Sequence, residues 1–132
     1  MNTLKGIVES VTVKKSLSLV KIKVGPYNMT TIVIDTPDSS PYLKRGKPVS
    51  VIFKETEVIL GKGNNHQISL QNKVNGTIAS IESGDLLSKV SLETEVGKIV
   101  SVITTNAVKQ LELGIGVEVT AMVKTNEVML SE

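Results

Sequence analysis

The sequence predicts an all-β protein made of two tandem five-stranded units. The chain of 132 residues is 40% hydrophobic but only 2% aromatic, so its core must be aliphatic, and Val and Ile favour strands. Short runs of alternating apolar and polar residues are separated by Gly, Pro and Asn, a pattern typical of half-buried strands joined by turns. An internal repeat then indicates two units.

The repeat becomes visible when the chain is shifted by 70 positions, because residues 2–61 then align with 72–131 without a gap. Chance would give only a few identities. We therefore expect a first unit at 1–61, a linker and lead-in at 62–71, and a second unit at 72–132. The thirteen identical pairs are Asn2/Asn72, Gly6/Gly76, Ser10/Ser80, Leu17/Leu87, Ser18/Ser88, Val20/Val90, Leu43/Leu113, Gly46/Gly116, Val49/Val119, Lys54/Lys124, Glu57/Glu127, Val58/Val128 and Leu60/Leu130.

The elements of each unit follow from this alternation. In the first unit Val20, Ile22 and Val24 point to one side of a strand, with lysines between them. Turns are predicted before this strand at 14–16 and after it at 25–28. The predicted strands of the first unit are 4–13, one ending at Val24, 29–34, 48–54 and 57–60, and those of the second are 73–82, 86–94, 98–104, 117–124 and 127–130.

A short helix is predicted between the third and fourth strands. In the second unit Thr105 or Asn106 can cap it and Gly114 can end it. The equivalent segment at 36–46 holds two prolines, which predict a shorter or broken helix. Three strands, a short helix and two strands are the order of an OB-type barrel. The expected fold is two tandem OB-type five-stranded β-barrels, each with a short helix between strands 3 and 4.

Composition excludes several classes of function. The absence of Cys excludes disulfides and thiolate chemistry, and a single His excludes a multi-histidine metal centre. His66 falls in a Gly- and Asn-rich linker, where we expect it to be solvated. No G-x-S-x-G elbow, P-loop or G-x-G-x-x-G motif occurs, so we expect no enzyme. No apolar signal segment or membrane-spanning run is present, which predicts a cytoplasmic protein without a membrane partner.

Charge differs between the two halves. Residues 1–66 hold ten Lys or Arg and five Asp or Glu, and residues 67–132 hold five and eight, which gives +5 and −3. Unlike halves could attract each other within or between chains, or each half could simply have its own solvated face. We do not expect nucleic acid as a partner, because single-strand sites need aromatic platforms. Tyr27, Tyr42 and Phe53 are expected in a turn, a connection and the core.

A cluster of hydrogen-bond donors is expected where the first and fourth strands of the second unit meet. Since these strands run antiparallel in an OB-type barrel, Ser69–Asn72 should lie near Lys124–Asn126. A tetrahedral oxyanion needs several donors converging on it. On these residues alone, a hydrogen-bonded strand junction without a ligand is the simpler interpretation.

The second unit resembles the Mop (TOBE-type) domain of the molbindins. The similarity runs through ISLQNKVNGTIASIESG, VSVITTNAVKQLELGIGVEV and AMVKTNEVML, and the first unit matches less fully. Together the units resemble a tandem, di-Mop molbindin. This resemblance implies storage or homeostasis of molybdate or tungstate, bound between the subunits of a homotrimer, without catalysis or an organic cofactor. It assigns anion binding to Ser69, Gln71, Asn72, Lys124, Thr125 and Asn126, and through the repeat to Lys54.

Two residues depart from the family pattern. Gln71 stands where the family has Arg, which removes a charge. Lys54 is followed by Glu55, and a carboxylate disfavours a bound anion. The alternative hypothesis is therefore a Mop-like scaffold that has lost oxyanion binding and serves as a protein-interaction or nucleic-acid-binding module.

Overall fold

The computed structural model describes all 132 residues and confirms an all-β protein, with ten strands and one short α-helix. No helix is long enough or apolar enough to span a bilayer. The elements are β1 (Asn2–Lys14), β2 (Leu17–Val24), β3 (Tyr27–Val33), β4 (Pro48–Phe53), β5 (Ile59–Lys62), β6 (Asn72–Ser83), β7 (Leu87–Thr94), β8 (Gly97–Thr104), α1 (Thr105–Gln110), β9 (Glu118–Val123) and β10 (Met129–Ser131), with single 3-10 turns at Glu55–Glu57 and Thr125–Glu127.

Each repeat gives its fifth strand to the sheet of the other repeat. The strand orders are β10-β4-β1-β2-β3 and β5-β9-β6-β7-β8, and neighbouring strands are antiparallel. Met129 of β10 lies opposite Ile52, and Ile59 of β5 lies opposite Met122. Each repeat does contribute five strands, as predicted. The expectation that all five strands of a repeat form one barrel is wrong, because β5 and β10 each join the sheet of the other repeat. The unit boundaries at 61 and 72 stay predictions about where the repeats end.

The helix forms in the second repeat only, which corrects the prediction of one helix in each unit. Thr104, rather than Thr105 or Asn106, caps α1, and its hydroxyl accepts a hydrogen bond from the Ala107 amide at 3.0 Å. In the first repeat the Ser40 amide donates to the Thr36 carbonyl at 2.9 Å. That turn cannot continue, because the next residue, Pro41, has no N–H to donate.

A single aliphatic core runs through both repeats. Along β1 buried and exposed residues alternate from Asn2 to Glu9, as expected of a strand with one face on the core. The buried cluster contains 23 hydrophobic residues drawn from both repeats, and Phe53 is its only fully buried aromatic residue. The two repeats therefore share one core rather than packing as separate domains.

Two buried asparagines join the repeats. The Asn2 side chain donates to the Val100 carbonyl and accepts from the Val100 amide, both at 2.8 Å. Asn72 does the same with Thr30, donating to its carbonyl at 2.9 Å and accepting from its amide at 2.7 Å. Because 70 positions separate Asn2 from Asn72 and Thr30 from Val100, the two bridges are equivalent under the repeat.

A second equivalent pair of bonds fixes the 3-10 turns. The Thr31 hydroxyl donates to the Val128 carbonyl at 2.7 Å and contacts the Thr125 carbonyl at 3.1 Å. In the other direction the Ser101 hydroxyl donates to the Val58 carbonyl at 2.8 Å. Each hydroxyl is buried, and each holds the chain where it crosses from one sheet to the other.

We expect Asn72→Ala to lower the free energy of unfolding by about 2–4 kcal/mol. The change leaves the Thr30 amide and carbonyl without partners, and each buried unsatisfied group costs about 1–3 kcal/mol. Urea unfolding followed by circular dichroism measures the loss. Asn64→Ala, at an exposed position, is the control and should stay within about 0.5 kcal/mol of the parent. A loss below that value for Asn72→Ala would contradict the bridging role.

Gly76→Ala should also destabilise the protein, by about 1–3 kcal/mol, because it overpacks two paired strands. A Cβ at Gly76 would lie 2.9 Å from the Glu93 carbonyl oxygen and 2.9 Å from the Thr94 methyl. The control is Gly114→Ala, where a Cβ would meet nothing within 4 Å. Equal thermal midpoints for the two variants would refute this account of the β6–β7 contact.

Candidate functional site

Four of the seven residues predicted to bind an oxyanion line one open pocket. Ser69, Gln71, Lys124 and Thr125 surround a space of about 310 Å³, and the rest of its lining is Leu70 and Ile59. As predicted, the start of β6 lies beside the end of β9, since Asn72 pairs with Val123. This pairing brings the four residues together. The residues just before β6 and just after β9 therefore lie at the same edge of the sheet.

Both walls of this pocket are held by β3 of the first repeat. Thr30 binds the side chain of Asn72, which directly follows Gln71. The neighbouring residue Thr31 holds the carbonyls of Thr125 and Val128. Lys124 starts the 3-10 turn, and its carbonyl accepts from the Glu127 amide at 3.0 Å. The backbone of the pocket is thus fixed while its polar side chains remain exposed or half-buried.

The chemistry of the pocket favours an anion. Its polar groups are one ammonium, two hydroxyls and one amide, and no carboxylate is in the lining. The side chains of Ser69, Gln71, Lys124 and Thr125 make no hydrogen bond or ion pair within the chain, so their donors are free. The structure also holds no group of three or more His, Cys, Asp and Glu residues suited to a metal ion. The pocket can offer donors to an oxyanion.

The other predicted residues are placed differently. The Asn72 side chain is buried and occupied by Thr30, so only its backbone could face a ligand. Asn126 is exposed in the 3-10 turn but is not part of the pocket lining. Lys54 starts the equivalent turn of the first repeat, where Glu55 follows and lies 3.9 Å from the Met1 amino nitrogen.

Sequence reasoning missed Ile59 as part of this pocket. Ile59 belongs to the first repeat and reaches the site because β5 lies in the second sheet. No local pattern in the sequence reveals that exchange. Leu70 lay within the predicted cluster but was given no role.

His66 and the three aromatic residues are all at least half-buried. The prediction of a solvated His66 is wrong, because its Nε2 is buried without a hydrogen-bond partner and its ring packs against Gly61. Phe53 is buried, while Tyr27 and Tyr42 are half-buried. The Tyr27 hydroxyl accepts from the Asn75 amide at 3.2 Å. None of the three aromatic rings forms an exposed stacking platform.

Comparison with known proteins relates this site to a family. Residues 68–130 match the TOBE domain. The chain is 30% identical to the molybdenum-pterin-binding protein MopB of Rhodobacter capsulatus over 79% of its own length and 39% of that protein. It is 34% identical to molybdenum-pterin-binding protein 1 of Clostridium pasteurianum, of which it covers 94%. The chain therefore spans well under half of MopB but nearly all of the shorter relative.

A solved structure extends the similarity to both repeats. The molybdate-bound crystal structure of the cytoplasmic molybdate-binding protein ModG superposes with a TM-score of 0.91 at 28% identity. The match covers 98% of this chain and 94% of ModG. The tandem arrangement is thus common to both proteins. With two repeats of one unit and this degree of likeness, the chain belongs to the TOBE-domain family of molybdenum-pterin-binding proteins, in its tandem form.

Proposed function

We propose that this protein binds molybdate and holds the anion without transforming it. The observation that carries the proposal is the pocket at Lys124, whose polar side chains can all donate hydrogen bonds and whose lining contains no carboxylate. Molybdate offers oxygen acceptors and two negative charges, which such a lining can satisfy. The likeness to ModG, a molybdate-binding protein, indicates the class of anion.

Each pocket residue has a distinct role in this proposal. Lys124 supplies the positive charge, and the hydroxyls of Ser69 and Thr125 supply neutral donors. Gln71 supplies amide N–H groups in place of the guanidinium expected from the family pattern. Asn72 contributes through its backbone, since its side chain already binds Thr30.

Selectivity would come from size and protonation. Molybdate and tungstate share shape and charge, so the proposal includes both, and both are larger than sulfate. Phosphate is partly protonated at neutral pH, so one of its oxygens can carry a hydrogen, and the anion then presents fewer free acceptors to the donors of the lining than molybdate does. With no nucleophile and base paired in the pocket, the function that fits is storage or homeostasis of the oxyanion in the cytoplasm.

We infer that a single chain does not complete this site. The pocket is open to solvent, and Ile59 in its lining is 46% exposed. A tetrahedral anion needs donors from several directions, so a neighbouring subunit would supply the remainder and cover the apolar rim. A neighbouring subunit at this position fits the homotrimer with sites between subunits that the family resemblance implies.

Calorimetric titration with molybdate, tungstate, sulfate and phosphate tests the anion site. We expect Lys124→Ala to weaken molybdate binding at least about tenfold, because a charged hydrogen bond contributes roughly 1.5–3 kcal/mol. Lys54→Ala should have a smaller effect, since Glu55 follows it, and Glu55→Ala should strengthen any binding there.

Lys109→Ala is the control for this titration, because Lys109 is exposed on α1 and outside the pocket. It should bind molybdate as the parent does. Equal and large losses from Lys54→Ala and Lys124→Ala would mean that both repeats build each site together. An unchanged titration curve for Lys124→Ala would refute the site assignment, and no binding of any oxyanion by the parent would favour the scaffold alternative.

Light scattering after size exclusion tests the assembly. We expect a mass of three times 14.2 kDa, because the resemblance to tandem molbindins implies a homotrimer and the open pocket leaves room for a neighbouring subunit. The measurement should be made with and without molybdate at micromolar protein. A monomer under both conditions would eliminate sites between subunits.

A further inference from the structure

The second repeat carries an acidic face that the proposed anion site does not use. Glu93, Glu95 and Glu118 line an open cleft of about 470 Å³, together with Asn75 and Thr77. In the sheet, Thr77 of β6 lies opposite Glu93 of β7 on one side and Glu118 of β9 on the other. Two carboxylates therefore flank one residue across three adjacent strands, which places them about 10 Å apart.

None of these carboxylates forms an ion pair in its own chain, although Glu93 lies opposite Lys98 of β8. All three glutamates are exposed, and the one ion pair in the structure joins Glu55 to the Met1 amino group. The cleft does not hold a set of residues suited to a metal ion. The three carboxylates outnumber Lys98, and clustered like charges repel each other, so the face is suited to a basic partner.

The first repeat carries a basic face in the equivalent region, where Lys23 aligns with Glu93 and Lys5 aligns with the neutral Asn75. Shifting by 70 residues replaces Asn75, Thr77, Glu93 and Glu118 with Lys5, Ile7, Lys23 and Pro48. The pairing is the same, since Ile7 lies opposite Lys23 on one side and Pro48 on the other. Both lysines are exposed, and Ile7 between them is 52% exposed.

We propose that the acidic face of one copy, formed by Glu93, Glu95 and Glu118, docks on the basic face of another copy, formed by Lys5, Ile7 and Lys23. The charges of the two faces are complementary, and Ile7 gives the contact an apolar centre that water would otherwise cover. Because the faces are different surfaces of one chain, each copy can contact two others, as a closed ring requires.

Charge reversal tests this contact. The first variant combines Glu93→Lys with Glu118→Lys, and the second combines Lys5→Glu with Lys23→Glu. We measure association by sedimentation equilibrium without molybdate, so the result is independent of the proposed anion site. Each variant alone should raise the dissociation constant of self-association at least about tenfold. A chain with all four changes should recover association, because opposite charges then meet again at every contact of the ring.

The controls are Glu82→Lys and Lys89→Glu, which change net charge in the same sense outside both faces. They should associate as the parent does, and urea unfolding of every variant checks that it folds. Association should also weaken as salt rises from 0.05 to 0.5 M, by the ordinary screening of exposed charges.

Three results would overturn the proposal. The first is a parent that stays monomeric at low salt. The second is self-association that neither double variant weakens more than its control does. The third is a set of variants with altered unfolding but unaltered association, because that would assign the charges to attraction within one chain. Failure of molybdate binding with these association results intact would count against the proposed function alone.

Discussion

The rest of the structure depends on two asparagine side chains whose amides hydrogen-bond to the backbone of the other repeat. Asn2 and Asn72 each present one donor and one acceptor to a single residue of the other repeat, as a paired strand would. A buried amide is costly unless both of its polar groups are satisfied. The bridges therefore fix where the first strand of each repeat stands against the third strand of the other.

The position of the candidate anion pocket follows from one of these bridges. Gln71 directly precedes Asn72, whose side chain is bound by Thr30. The next residue, Thr31, binds the carbonyl of Thr125 in the 3-10 turn. A strand of the first repeat thus orients a pocket whose polar residues belong to the second repeat and to the lead-in just before it. Substitutions at Thr30 or Thr31 would therefore shift both walls of the pocket and change the positions of its donors.

Much of the fold could be predicted from the sequence, because alternation and turn residues are local signals. The strand order within each repeat, the helix near Thr105 and the nearness of Ser69 to Lys124 all follow from that reasoning. The exchange of β5 and β10 could not be predicted, since Ile59 and Met129 carry the same local pattern whichever sheet they join. The half-buried position of His66 depends on tertiary packing against Gly61.

The exchanged strands have a consequence for the order in which the chain can fold. The segment Met129–Ser131 forms the edge of a sheet whose other strands end at Phe53. During synthesis that sheet would remain open along β4 until the last residues of the second repeat leave the ribosome. An unpaired edge can capture the wrong strand, including one from a second nascent chain. Joining both repeats in one polypeptide counters this, because it keeps the correct strand at high effective concentration beside the open edge.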